Sequence, residues 1–269
     1  QIIPPALPVT VDMKKLAGKI DMDLKKLLCK KEETPSCSVV IVAAGSSQRM
    51  GTDKIMGALG GLPVLVRAIL PFQQCELVKE IVVVTRMEKL EHVANLRQKY
   101  GLTKVSKVIC GGQTRMESAL AGVSETDPKV NLIAIHDGAR PLVTEALIRR
   151  VIYAAHEKLA AVPVLKSVDT LKTVDADGIV IGSVDRTTTV RIQTPQVFEA
   201  DLIKGALTNA VKHNLALTDD GSAVERMGVK IYSVEGEDEN LKLTVPHDRV
   251  LAEAILRDRG DAYADRPWL

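Results

Sequence analysis

The chain has 269 residues, 46% of them hydrophobic, and a formal net charge of +2. That charge is too small to mark a nucleic-acid surface, and the basic residues do not interleave with aromatics. No apolar run approaches the roughly 18–20 residues of a membrane span, and with two Phe, four Tyr and one Trp the core must be aliphatic, which suits Val/Ile-rich parallel strands covered by helices.

Residues 1–36 differ from the rest. Gln1 to Asp12 is Pro-rich and aperiodic, with no signal-peptide pattern of an apolar stretch followed by small residues. Met13 to Glu33 is Lys-rich, with Leu16, Ile20, Leu24, Leu27 and Leu28 at helical spacing, and Thr34-Pro35-Ser36 reads as a linker. This segment reads as an N-terminal extension outside the fold, expected to be disordered or partly helical; a basic amphipathic helix on a membrane or partner surface is the alternative. Cys29, Cys37, Cys75 and Cys110 form no C-x-x-C pair, which fits reduced thiols in a cytoplasmic protein better than a disulfide framework or a zinc site.

From Val39 the pattern becomes rhythmic. It predicts strands over 38–44, 80–85, 105–110, 131–136 and 160–165, with helices near 63–75, 88–100, 114–125 and 144–159. Thr114 and Glu117 have capping-box spacing, and Thr144 is a predicted N-cap. Such alternation implies an α/β fold: a doubly wound, mostly parallel, Rossmann-like sheet with right-handed crossovers. Ligands in such sheets bind beyond the carboxyl ends of the strands. Three clusters fall there: Ala43 to Lys54, Gly111 to Arg115, and His136 to Arg140.

Residues 168–190 break the rhythm. Val168 to Val174 and Gly178 to Val184 alternate about an Asp177-Gly178 turn, predicting a protruding β-hairpin arm. A two-stranded arm is marginal alone, so it is expected to pack on another subunit. A helix near 200–214, a short one after Thr218, a strand over 229–234 and a helix over 247–258 follow. No internal repeat appears. The expected organisation is one domain over 37–258, with a tail at 259–269.

The strongest chemical signal is Val39 to Lys54. A β-branched run ends in Ala43-Ala44-Gly45-Ser46-Ser47, and Arg49 and Lys54 follow closely. A buried strand feeding a loop of small residues can turn backbone N–H groups toward a polyanion, with two cations where phosphate oxygens would sit. A tight turn is the plainer reading of the same residues. Neither G-x-x-x-x-G-K-[ST] nor G-x-G-x-x-G after a strand occurs. Asp137, ending an apolar run, is placed to hold Mg²⁺ against phosphates or to cap the next turn. His136 beside it reads as a structural histidine. Gly111-Gly112 would let a planar ligand approach the backbone, and Ser118 one turn into the next helix would hydrogen-bond it.

In this order the motifs resemble the 2-C-methyl-D-erythritol 4-phosphate cytidylyltransferase family of the nucleotidyltransferase superfamily, over roughly residues 38–258. They are Ala43-Ala44-Gly45 with Arg49 and Lys54; Gly111-Gly112 with Arg115 and Ser118; His136-Asp137 with Arg140-Pro141; Asp169-Thr170; Asp185-Arg186; Thr194-Pro195-Gln196; Thr218-Asp219; and Asn240 with Lys242. The resemblance implies a nucleotide-diphospho-sugar transferase type of sheet and a homodimer with exchanged arms. It implies transfer of CMP from CTP to the phosphosugar in isoprenoid synthesis, with a divalent cation. Ala43, Ala44, Gly45, Ser46, Gly111, Gly112, Gln113 and Ser118 would hold CTP. Arg49, Lys54, Arg186 and Lys242 would act on the phosphates, and Asp137 would organise the metal. Asp137, Arg140, Thr194, Thr218 and Lys242, with Thr170 and Arg186 from the neighbour's arm, would hold the phosphosugar. The chain departs from the family pattern at Ser47, Gln113 and Gly138 and in a shorter Arg49–Lys54 loop. The other readings are the same chemistry on another phosphosugar, such as ribitol 5-phosphate, and a nucleotide-binding protein without catalysis.

Overall fold

The computed structural model describes residues 34–45 and 55–261. Strand β1 (Cys37–Val42) precedes a short ladder, β2 (Ala58–Leu59) and β3 (Leu62–Pro63). Then come α1 (Val64–Gln74), β4 (Val78–Thr85), α2 (Leu90–Lys99), β5 (Val105–Cys110), α3 (Arg115–Ser124), β6 (Leu132–Asp137), α4 (Glu145–Lys158) and β7 (Ala160–Lys166). The hairpin β8 (Lys172–Val174) and β9 (Val180–Ser183) leads to β10 (Val190–Ile192), β11 (Gln196–Glu199), α5 (Ala200–Lys212), α6 (Asp220–Glu225), β12 (Tyr232–Glu235) and α7 (Pro246–Asp258).

Strands β6, β1, β4 and β5 lie side by side and parallel. Their residues alternate between two helical layers, as a doubly wound sheet requires. Val39, Ile41, Ile81, Val83 and Ala134 face the layer of α1 and α4, against Leu65, Ile69, Phe72 and Val151. Val40, Val84, Ile133 and Ile135 face α3 and α5, against Ala119, Val123, Ile203 and Leu207. Helix α1 shows why the pattern works: Leu65, Ile69 and Phe72 recur at one face, and all three are buried. Burying each stabilises the fold by roughly 1.5–3 kcal/mol. Gly122 lets α3 lie close on the sheet; a Cβ there would run into Val40 and Val84.

The antiparallel part of the sheet is what periodicity missed. Strand β11 runs antiparallel between β6 and β7. Val164 of β7 faces both Ile192 of β10 and Glu235 of β12, so these two strands lie on opposite edges of β7. Strands β10 and β11 are three and four residues long, with Pro195 between them. A Pro and runs that short read as a strand break, and here the Thr194–Pro195 bond is cis. The last strand starts at Tyr232, three residues later than its apolar pattern suggests.

The hairpin stands apart. Strands β8 and β9 pair only with each other among the described residues. Gly178, with φ +82°, makes its turn, as Asp177-Gly178 predicts. Val168, Ile179, Val180 and Ile181 are each more than half exposed. Among the described residues no helix is long and apolar enough to cross a membrane. The amphipathic stretch read before Thr34 lies outside the described residues.

Candidate active site

Strand register sets the site. Val42 of β1 pairs with Asp137 of β6 and Val84 of β4, so these strands end level. Each chain exit is then pinned to its neighbour: Ala43 N–H to Val84 O, Gly111 N–H to Thr85 O, and Gly138 N–H to Val42 O. Ala43–Gly45, Gly111–Arg115 and His136–Arg140 therefore meet at one edge. Ser46, Arg49 and Lys54 lie outside the described residues.

The Gly111-Gly112 corner is tighter than a ligand platform needs. A Cβ on Gly111 would come 2.7 Å from both the Ala44 Cβ and the Ser118 Oγ, and one on Gly112 would strike Glu117. These glycines let the chain pack against itself. Ser118 is buried and donates to the Thr114 carbonyl at 2.9 Å. The capping box forms as expected, with Thr114 Oγ1 accepting from Glu117 N–H. Glu117 Oε2 in return accepts from the N–H groups of Gln113 and Thr114. Gly112 and Gln113 are exposed at its rim.

Asp137 is the hub. Its Oδ2 accepts from Lys242 Nζ at 2.7 Å, its Oδ1 lies 3.3 Å from Arg115 Nη2, and Arg140 Nε is 4.0 Å away. Burial pushes this carboxyl up, but Arg115, Lys242 and Arg140 outweigh it and hold the group well below the usual carboxylate range. Arg115 also grips both oxygens of Asp220, at 2.8 and 2.7 Å. Asp220 is 1% exposed, at the start of α6, whose N-cap Asp219 accepts from Ser222 N–H and from Gln196 Nε2. Gln196 Oε1 accepts from Gly221 N–H, closing the corner.

Beneath Asp137 the polar groups are internal. His136 is fully buried and lies edge-on to Phe72. Burial drives its pKa down to about 4, so the ring is neutral, a structural histidine as the sequence suggests. Thr194 Oγ1 accepts from Asp137 N–H and reaches His136 Nδ1, so much of its hydroxyl capacity is spent inside the protein. Arg140 Nη1 donates to the Asn240 carbonyl at 2.7 Å. Thr218 is exposed at the rim.

Arg115, Asp137, Arg140, Thr194, Thr218 and Lys242 line one cleft of about 480 Å³. Thr170 and Arg186 do not: both are exposed on the arm side of the chain. Sequence reasoning quoted Arg115, Gln196 and Asn240 among the motifs without giving them a role, and it missed Asp220. Arg115 and Asp220 are 105 positions apart, and Asp220 looks like a second helix-capping acid beside Asp219. The available signal for Asp220 was its neighbour, since it directly follows the motif residue Asp219.

A mostly parallel α/β sheet with a cationic, carboxylate-centred cleft at its strand ends is the architecture of a Rossmann-like nucleotidyltransferase. The family model described as IspD, 2-C-methyl-D-erythritol 4-phosphate cytidylyltransferase, matches residues 37–258. The chain belongs to this family. A relative from Caldanaerobacter subterraneus with that enzyme's name is 43% identical over 223 residues, covering 82% of this chain and 98% of its own. One from Syntrophus aciditrophicus is 38% identical, covering 83% and 97%. The solved 4-diphosphocytidyl-2C-methyl-D-erythritol synthase of Anaerococcus prevotii superposes with TM-score 0.74 at 30% identity, covering 83% of this chain and 97% of that one.

Proposed function

We propose that this chain transfers CMP from CTP to 2-C-methyl-D-erythritol 4-phosphate, releasing pyrophosphate, as a step of non-mevalonate isoprenoid synthesis. The observation that carries this reading is the family match, which spans every strand end of the cleft. An oxygen of the phosphosugar's phosphate attacks the α-phosphorus of CTP, and the bond from that phosphorus to the bridging oxygen breaks. The nucleophile is already an anion, so no general base is needed, and the neutral, buried His136 is consistent with that. The difficulty is bringing two anions together, which calls for positioning and cationic charge. Arg49 and Lys54 are assigned to the triphosphate. Arg140 and Lys242 are assigned to the acceptor phosphate, with Thr194 and Thr218 at the acceptor end.

A divalent cation belongs to the same proposal. Among the described residues no three His, Cys, Asp or Glu side chains gather as a cage. One carboxylate at a strand end fits Mg²⁺ that takes its other ligands from phosphate oxygens and water. Asp137 is the residue that would hold it. Bound there, the ion would neutralise charge on the phosphates as pyrophosphate leaves.

The exposed apolar arm supports a homodimer in which Thr170 and Arg186 complete the neighbour's acceptor site. A cytoplasmic location goes with this reading. The test is pyrophosphate release from CTP and Mg²⁺ over a panel of phosphosugars. Release with 2-C-methyl-D-erythritol 4-phosphate well above the others is expected. Preference for ribitol 5-phosphate would reassign the acceptor, and no release with any acceptor would mean nucleotide binding without catalysis.

A further inference from the structure

The strand end that presents Asp137 turns sharply. Arg140 N–H bonds back to Asp137 O at 2.9 Å, so Asp137 and Arg140 open and close one tight turn. Both side chains line the cleft. What holds the turn from below is the His136 ring. Its Nε2 lies 3.1 Å from the Arg140 carbonyl and its Nδ1 lies 3.0 Å from Thr194 Oγ1. A carbonyl only accepts, so Nε2 carries the hydrogen. Nδ1 then accepts from the Thr194 hydroxyl, which itself accepts from Asp137 N–H at 3.1 Å.

The network closes through a second segment. Asn240 Nδ2 donates to Thr194 O at 2.9 Å, and the Asn240 carbonyl takes Arg140 Nη1 and Gln193 Nε2. Leu243 N–H bonds Ala139 O, so Lys242 is carried on a segment stitched to the same turn. Within this packed set, Arg140 Nε is buried and has no hydrogen-bond partner.

We propose that His136 is a positioning residue. Its ring braces the Arg140 carbonyl against the Thr194 hydroxyl and so presets the Arg140 guanidinium relative to the Asp137 carboxylate before the acceptor arrives. That it acts on the phosphosugar half of the cleft rests on the functional reading above. His136 touches no substrate; it acts through Arg140.

Two similar variants separate the roles of the two ring nitrogens. His136→Asn keeps an acceptor near Nδ1 but is too short to reach the Arg140 carbonyl, whereas His136→Gln keeps a donor near Nε2. The Asn variant should raise KM for the phosphosugar about tenfold, on the scale of one lost hydrogen bond, with KM for CTP within about twofold. The Gln variant should recover most of the loss. Thermal melting checks that both are folded. A merely structural histidine would lower stability alike in both and move neither KM, and that result, or equal rises in both KM values, would overturn the proposal. A second readout needs no substrate: the Arg140 Nε–H resonance, assigned by its loss in Arg140→Lys, should shift or broaden in the Asn variant and stay near the wild-type position in the Gln variant. An unchanged resonance in the Asn variant also overturns it. If wild type converts no phosphosugar while the resonance behaves as expected, the functional reading fails and the positioning role stands.

Discussion

Arg115 holds Asp220 by two parallel hydrogen bonds of 2.8 and 2.7 Å, joining the first turn of α3 to the first turn of α6 across the cleft. The acid is 1% exposed and the guanidinium about a third exposed. Removing the acid leaves a partly buried cation whose remaining carboxylate neighbour is Asp137.

Asp220→Ala should therefore lower unfolding free energy by about 2–3 kcal/mol, at and below the bottom of the range of roughly 3–5 kcal/mol for breaking a buried pair because Arg115 is partly solvated. Urea unfolding checks this. Activity should fall at least about tenfold, because a freed Arg115 competes with Lys242 for Asp137. A variant with unchanged midpoint and turnover would show that the pair supports neither fold nor site.

Arg49→Ala and Lys54→Ala should each remove most turnover at little cost in stability. The sequence puts both cations on a loop of small and polar residues after β1. Losing one should cost about 2–4 kcal/mol of transition-state stabilisation, by analogy with an oxyanion donor. Steady-state kinetics alongside melting curves decide it, and near-normal kcat in either variant would remove that residue from the phosphate site.

Chelation by EDTA should abolish pyrophosphate release, and Asp137→Asn should abolish it at ordinary Mg²⁺. The Asn variant loses the charge that Arg115, Lys242 and Arg140 face, so it should melt below wild type, and its turnover is read at a temperature where it is still folded. Full turnover in EDTA would contradict the role given to Asp137.

Arg186→Ala mixed with Lys54→Ala should regain activity that neither variant has alone. If each arm reaches the neighbour's cleft, a mixed dimer can place both lesions in one site and leave the other whole. Assays after verified subunit exchange test this. No recovery would mean that Arg186 does not serve a neighbour.

Asp248 should contribute acid-sensitive stability. Partial burial pushes its carboxyl up, but Val245 N–H, Thr244 N–H and the Thr244 hydroxyl outweigh this and lower its pKa below 3.8. A folded pKa below the unfolded one means the stabilisation is complete above about pH 4 and is lost as pH falls through the folded value. Asp248→Ala should cost about 1 kcal/mol at pH 7, a typical capping value, and progressively less toward pH 2. A loss that stayed constant with pH would show that the charge is not what Thr244 and Val245 recognise.

Local patterning determined much of this protein. Apolar runs of β-branched residues, the Thr114–Glu117 and Thr144 caps, and the Asp177-Gly178 turn are decided by neighbours a few positions apart, and they appear where the sequence puts them. That much also brought Ala43, Gly111 and Asp137 to one edge, because parallel strands of a doubly wound sheet end together. Only the tertiary structure decided what happens there. β10 and β11 are too short to carry a period; β11 is a strand because it fills the slot between β6 and β7, and β10 because it pairs along β7. Arg115 and Asp220 meet across 105 positions, and Arg140 meets the Asn240 carbonyl across 100. The glycines that read as room for a ligand prove also to be room for Ala44, Ser118 and Glu117. Hydrogen bonds and ion pairs act over a few ångströms of space, not of chain, so pairs brought together by the winding of the sheet leave no periodic trace in the sequence.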